Sequence, residues 1–121
     1  MTRRRGERGQ ATVEFALLLP VLMMALLAVL QVALVVRDHV VLVHATREAA
    51  RAASVDPNSG AAVRAAHRTL PGARVDVGPR PGIGEPIVVD VTYRSKTSLP
   101  LVGKLFPDPE LHARVVMRVE K

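Results

Sequence analysis

Among the residues able to do chemistry, Glu14 stands apart, because it is an ionisable group at the head of an almost wholly apolar run. A carboxylate at the start of a membrane-spanning helix is costly and calls for a partner or a function. The other candidates do not converge. His39, His44, His67 and His112 are scattered, the nearest pair five residues apart and so off a common helical face, with no cysteine and no paired carboxylates to complete a metal site. Ser54, Ser59, Ser95 and Ser98 lie in turn-like context without the G-x-S-x-G elbow of a hydrolase. The glycines from Gly78 to Gly84 lack the parallel-strand context and the Lys-Ser/Thr pair of a phosphate loop. No catalytic residue, cofactor or metal is therefore expected, and the chain does not read as an enzyme.

The element that must carry Glu14 is the stretch from Gly9 to Val36. From Phe15 to Val36 only Gln31 is strongly polar, and a helix of that length reaches about 33 Å, enough for a bilayer's hydrocarbon core. Pro20 lies inside the run and is expected to kink it, a break that membrane helices tolerate where the freed carbonyl finds another partner. Gln31 reads as an interhelical or water-facing contact. Arg3, Arg4, Arg5 and Arg8 precede the span with Glu7 alone opposing them, whereas Arg37 and Asp38 beyond it cancel, so the positive-inside rule places the N-terminus in the cytoplasm. The apolar run is too long for the h-region of a secretory signal, and no A-x-A-like site closes it.

Gly9-Gln10-Ala11-Thr12-Val13-Glu14-Phe15, set after a short basic stretch and before an apolar run containing Pro20, resembles the processing site of the type IV pilin superfamily. More narrowly it is similar to the TadE-like pseudopilins, or minor pilins, of tight-adherence (Flp) pili. The resemblance implies a leader ending at Gly9, cut by a prepilin peptidase so that Gln10 becomes the new N-terminus and Glu14-Phe15 the acidic-aromatic pair. The implied processing residues are Gly9, Gln10, Glu14 and Phe15, and the implied assembly residues Glu14 and Pro20. The implied partners are the membrane, the peptidase, other pilins or pseudopilins and the pilus-assembly platform. A cut after Gly9 would leave the α-amino group of Gln10 about one helical turn from the Glu14 carboxylate. A charge pair there, within a chain or between packed subunits, offsets the desolvation of each partner and could fix the axial register of a filament. The plainer alternative is that Glu14 rests at headgroup level as an ordinary interfacial charge.

Composition narrows the remaining classes. With 121 residues there is room for one small domain beyond the span, and with no cysteine its stability must come from packing alone. The net charge of +6 raises nucleic-acid binding, but residues 1–9 hold three of those charges, aromatic content is 2%, and no nucleic-acid-binding pattern can be placed. Neither a nucleic acid nor a small-molecule substrate is expected. Surface solvation or attraction to anionic headgroups accounts for the charge.

The domain expected after the span is α+β. From Arg37 to Ser54 the helix continues in amphipathic form, with Val41, Ala45, Ala49 and Ala52 on one face and His44, Arg47, Glu48 and Arg51 on another. The stretch HATREAARAAS is similar to the Ala-Arg-rich end of the long helix in TadE-like proteins. Val55 to Gly60 reads as a turn, and a second helix from Ala61 to Leu70, with Ala62, Val63, Ala66 and Leu70 apolar, is expected to lie across a sheet. The period then changes to two in three stretches: Ala73 to Val77, Ile87 to Arg94 and Leu111 to Val119. These give about three antiparallel strands covered by the extension of the long helix, with Gly78 to Gly84 as a hairpin loop. An apolar island, LPLVGKLF at Leu99 to Phe106, either tucks under the sheet or touches membrane or partner. Tyr93, Pro100-Leu101, Met117-Arg118 and Glu120 resemble the end of TadE-like domains.

The expected organisation is thus pilin-like: a basic cytoplasmic leader at 1–9, a transmembrane helix at 10–36 and an extracytoplasmic αβ domain at 37–121, in the inner membrane or in a surface pilus. Two functions fit it. One is a pseudopilin or minor pilin for tight-adherence pili; the other is an uncleaved single-pass anchor carrying a binding or accessory domain.

Overall fold

The computed structural model describes residues 4–96, 102–105 and 107–120, with side chains described from residue 9 onward except at 102. One helix, α1 (Arg4–Val55), dominates it, and its 52 residues extend over about 78 Å. After it come α2 (Ser59–Thr69), β1 (Arg74–Val77), β2 (Pro86–Arg94), α3 (Val102–Leu105) and β3 (Glu110–Arg118). The architecture is α+β with one antiparallel sheet in the order β1-β2-β3.

The first half of α1 stands clear of the rest of the chain. Val13, Leu17, Leu18, Val21, Met24, Leu26 and Val29 are all exposed, and none of the most apolar 18-residue stretch is buried. This is a single helix long and apolar enough to cross a membrane. It runs through Pro20 as one helical segment, although the missing N–H leaves the Ala16 carbonyl without its usual intrahelical donor.

The second half of α1 is one wall of a core. Leu42, Ala45, Thr46, Ala49, Ala50 and Ala53 are buried, in steps of three, one and three that keep a helix face turned inward. This corrects the expected face in part: Ala45 and Ala49 are core, but the stripe is centred on Leu42, Thr46, Ala50 and Ala53, and Val41 and Ala52 are only half-buried at its margins. The reason is that α1 has two neighbours rather than one. The sheet covers it through β2 and β3, and α2 packs along it as well, so the buried sector is wider than a single alanine row. His44, Arg47, Glu48 and Arg51 are exposed as expected. Small side chains let both neighbours approach closely, and the buried Thr46 hydroxyl donates to the Leu42 carbonyl at 2.7 Å, which removes the cost of an unpaired polar group.

Helix α2 begins two residues earlier than its sequence pattern indicates, because Asn58 is its cap and accepts the Gly60 amide at 2.9 Å. It buries Ala62, Ala65 and Ala66 and leaves Val63 half-buried. It does not lie across the sheet: it packs mainly along α1 and meets the sheet chiefly at β1. Two side chains fix it there. Thr69 Oγ1 donates to Glu48 Oε2 of α1 at 2.5 Å, and His67 Nε2 bonds the Ala73 carbonyl at 2.8 Å. Gly72, at φ 82°, takes the tight turn into β1 in a conformation that favours glycine.

The strands follow the alternation closely. Val75 stands opposite Val91, and Val77 opposite Val89; Ile87 pairs with Met117, Val89 with Val115, Val91 with Ala113 and Tyr93 with Leu111. These residues face the helices around fully buried Val89 and Val91. The outer face is polar and matched across strands: Arg114 Nε donates to Asp90 Oδ1 at 2.7 Å, and Thr92 Oγ1 is 3.2 Å from His112 Nδ1. The hydrogen bond to Asp90, and then its charge, hold the exposed Arg114 guanidinium still further within its charged range.

The β1–β2 hairpin closes the far end of the domain against the C-terminus of α1. The last turn of α1 contains no basic residue. Arg80, from the hairpin loop, supplies the cation instead: Nη1 donates to the Ala53 carbonyl at 2.5 Å and the Asp56 carbonyl at 3.1 Å, and Nη2 to the Ser54 carbonyl at 3.4 Å. The Glu120 amide donates to the Ser54 carbonyl at 3.0 Å. These donors occupy carbonyls that a helix end leaves open, at the negative pole of its dipole.

Of the expected apolar island, Val102–Leu105 forms the short α3, which packs on α1, while Leu99, Pro100, Leu101 and Phe106 lie outside the described residues. Arg3 of the basic stretch lies outside them as well.

Removing the Arg80 side chain uncaps α1 from a distance of 27 residues in sequence. Arg80→Ala is expected to lower the unfolding free energy by about 1.5–3 kcal/mol, the range for hydrogen bonds to a charged group. Urea unfolding of the whole chain in detergent, followed by circular dichroism, checks this; an unchanged midpoint would show that the cap contributes nothing.

Candidate functional site

Gly9, Gln10, Glu14 and Phe15 all lie on the exposed first part of α1. The helix already runs through them, so the positions of their side chains follow from helical geometry alone. Gln10 and Glu14 are four residues apart and share a face, and Gln10 Nε2 donates to Glu14 Oε1 at 3.2 Å. Phe15 is turned about 100° further round the axis and is 60% exposed. Glu14 thus has a polar partner within its own helix, at the level where the chain turns apolar.

Gly9 is exposed. A Cβ built on it would meet nothing within 4 Å, and its φ is not in the left-handed region. The fold therefore has no steric need of glycine at this position. The missing side chain leaves this backbone open to an approaching molecule. Glycine also weakens a helix by about 1 kcal/mol relative to alanine. That lowers the cost of opening the helical turn around the Gly9–Gln10 peptide bond, whose flanking groups are otherwise held in the helix. Pro20 lies further along α1, about 9 Å from Glu14 by helical rise, and is not brought into contact with the Gly9 to Phe15 group.

The remaining titratable groups are dispersed. Among the described residues no three of His, Cys, Asp and Glu come together as a metal site. His67 is used in the α2–β1 turn, and His112 lies on the outer sheet face near Thr92 and, at 3.6 Å, Glu110. An open groove between α1 and α2, lined by Ala52, Asp56, Ala61, Arg64 and Arg68 among others, holds no convergent set of catalytic groups.

Asp38 carries a role that sequence reading missed. Balanced against Arg37 as a flanking charge, it is instead half-buried, and Oδ2 accepts the hydroxyl of the buried Ser95 at 2.5 Å. The pair is separated by 57 residues, so no local spacing could have found it. The one available signal is an acid two residues beyond an apolar span, at the start of an amphipathic stretch.

Residues 9–51 match the family described as TadE-like protein. The match opens on Gly9 and takes in the Glu14-Phe15 pair, the apolar run and the alanine-lined half of α1 up to Arg51, leaving α2 and the sheet outside it. No curated protein and no solved structure matches the chain.

Because Gly9 touches nothing, Gly9→Ala is expected to keep the helix and to tighten its first turns by about 1 kcal/mol, roughly fivefold in the opening equilibrium. Hydrogen exchange of amides 10–14 in the detergent-bound chain reads this directly, and faster exchange in the variant would contradict it.

Proposed function

We propose that this chain, TadE-like over residues 9–51, is a pseudopilin or minor pilin that takes part in assembling tight-adherence pili. In this reading it enters the inner membrane with its N-terminus in the cytoplasm and its αβ domain outside, and a prepilin peptidase cuts after Gly9. The observation that carries the proposal is the one-turn relation of residues 10 and 14 at the head of a bare apolar helix, within a segment that matches the family. Its polar head and lipid-compatible body suit a subunit that is stored in a bilayer and then withdrawn into a bundle of like helices.

The physical steps follow from the geometry. Hydrolysis of the Gly9–Gln10 bond removes residues 1–9 and their net positive charge, leaving an ammonium group at Gln10. The amide of Gln10 already reaches the Glu14 carboxylate, so a cation on the same residue lies within reach of the same acceptor. In a membrane such a pair is far less costly than either charge alone. When helices stack, the ammonium of one subunit can meet the Glu14 of its neighbour, and a mismatch of register leaves a carboxylate unpaired in apolar surroundings. The long helix suits a structural role in another respect: the exposed apolar half is left for lipid or for neighbouring subunits, and the alanine-rich half is already occupied by the domain.

Two variants test this with the peptidase present. Gly9→Val, which adds bulk where the fold has room but an approaching enzyme does not, is expected to leave full-length precursor in the membrane, seen as a mobility and mass difference. Normal-sized mature protein from that variant would count against cleavage at this bond. Glu14→Ala is expected to insert and be cut like the parent but to reduce surface pili several-fold, measured by shearing and quantifying fibres. Pilus yield equal to the parent's would dismiss the register role of Glu14.

A further inference from the structure

We propose that copies of this chain meet flank to flank at the far end of the domain, the turn Gly82–Glu85 of one copy seating Ile83 in the groove between α1 and α2 of the next. The inference deepens the pilus reading, on which it rests for one thing: copies stand side by side with their α1 helices parallel.

Ile83 is the knob. At 76% exposure it is the most exposed large apolar side chain among the described residues. An isolated apolar residue on a surface needs no explanation by itself, but this one is held out by a braced turn. The Glu85 amide donates to the Gly82 carbonyl at 3.1 Å, with Gly84 at φ 85° in the third position, the pattern of a type II turn, which makes no demand for isoleucine in the second. The Gly82 amide donates back to Glu85 Oε2 at 3.1 Å. Outside the turn, the Gly84 amide donates to the Val119 carbonyl at 2.8 Å, and Arg80 ties the loop to the end of α1. A loop fixed in this way gives up little entropy on docking.

The groove is the matching hole. Its two parts, about 630 and 530 Å³, share Ala52, Val55 and Arg68, and Ala61 and Ala65 of α2 complete a floor of small apolar side chains. Arg51, Arg64 and Arg68 line it as well, all exposed and none in an ion pair among the described residues. The carboxylates at the groove already have partners: Glu48 accepts the Thr69 hydroxyl and Asp56 the Asn58 amide. The site therefore fits an occupant that is apolar at its tip and carries a carboxylate beside it, and Ile83 with Glu85 two residues on is such an occupant within the chain itself.

The fold puts knob and hole on opposite flanks at one height. The turn is bonded to Val119, which follows β3 at one edge of the sheet, whereas α2 meets the sheet chiefly at β1, the other edge. The Val119 amide donates to the Glu85 carbonyl and the Glu120 amide to the Ser54 carbonyl, which ties the base of the turn to the level of Ala52 and Val55, within about 3 Å of helical rise of Ser54. Copies inserted in one membrane in one orientation present turn and groove at matching heights. The contact is head-to-tail, so it repeats along a row of subunits rather than closing on a pair. It is also small, and works between chains that their α1 helices already hold together, where the effective concentration is high.

The chain has no cysteine, so introduced ones report contacts without background. Ile83→Cys and Ala61→Cys chains, with tags of different size, are produced together in cells that contain the peptidase and the assembly platform, and their membranes are oxidised. The expected result is a mixed disulfide dimer, several-fold stronger than the dimer of either variant alone, and reduced several-fold when the Ala61→Cys chain also carries Arg64→Glu and Arg68→Glu. Absence of the mixed dimer, Ile83→Cys dimers of equal yield, or a mixed dimer indifferent to the two charge reversals would each overturn the proposal. Leu17→Cys, Leu18→Cys and Leu19→Cys, about 100° apart round the bare half of α1, show in parallel whether the helices are neighbours. Dimers through one of these without the mixed dimer leave the pilus reading standing and remove this inference. No dimer through any position, 61 and 83 included, removes the side-by-side premise along with it.

Discussion

The structure depends on one continuous helix meeting two surroundings. Over its first half the described side chains of α1 are mostly apolar and exposed; over its second half the same cylinder is the wall of a domain core. No hinge, loop or glycine separates the two, so the rotational phase of the helix is common to both. The face that receives the sheet at Leu42, Ala45 and Ala49 determines which face of the apolar half is turned the other way. A subunit built like this transmits orientation rigidly: whatever packs on the bare helix also positions the domain. The side chains at the junction and at the end of α1 make this possible. Asp38 fastens the near end of the sheet through Ser95, and Arg80 fastens the far end by capping carbonyls at the helix terminus. Between them the core uses mainly alanine and valine, which suits close approach of helix to sheet in a domain with no disulfide to reinforce it.

The proposed function rests on Glu14 and Gly9. Both lie on the exposed part of α1, on which no other described element packs, so the described fold makes no use of either. Glu14 accepts a hydrogen bond from the side chain one turn before it, and among the described residues Gly9 has open space where a side chain would be. Residues that a fold does not need, at the start of a helix that a fold leaves bare, are most simply understood as serving an encounter with another molecule. The TadE-like match begins on Gly9 and extends only to Arg51, so it follows this helix and not the sheet.

Much of this architecture was legible in the sequence because its periods are clean. Val75 and Val77, Ile87 to Tyr93, and Leu111 to Val119 alternate with only Val88 and Val116 apolar on the outward side, and each strand lies within a residue or so of where the alternation places it. The span was legible from length and hydropathy, and the Gln10–Glu14 relation from the arithmetic of a helix turn. The inward face of α1 was only partly legible. A row of alanines shows where close packing is possible, but the choice between Ala52 and Ala53 depends on a second neighbour, α2, that the local pattern does not reveal. For the same reason α2 was expected across the sheet: its short apolar stripe fits either surface, and the Thr69–Glu48 contact that decides the matter joins residues 21 apart. The roles of Arg80 and Asp38 are not legible in the sequence because their partners, main-chain carbonyls and a serine hydroxyl, leave no trace in sequence spacing.

The central claim is that the working form of the protein begins at Gln10, with its amine set against Glu14. The most direct test is the intact mass and N-terminal residue of native protein, taken both from membranes and from sheared surface fibres of cells that contain the peptidase. The account predicts a chain lacking residues 1–9 and starting at glutamine in both fractions. A protein that retains its arginine-rich beginning in the fibres, or that is absent from fibres and uncut in membranes, would contradict it and leave a tethered domain in place of a pilus subunit.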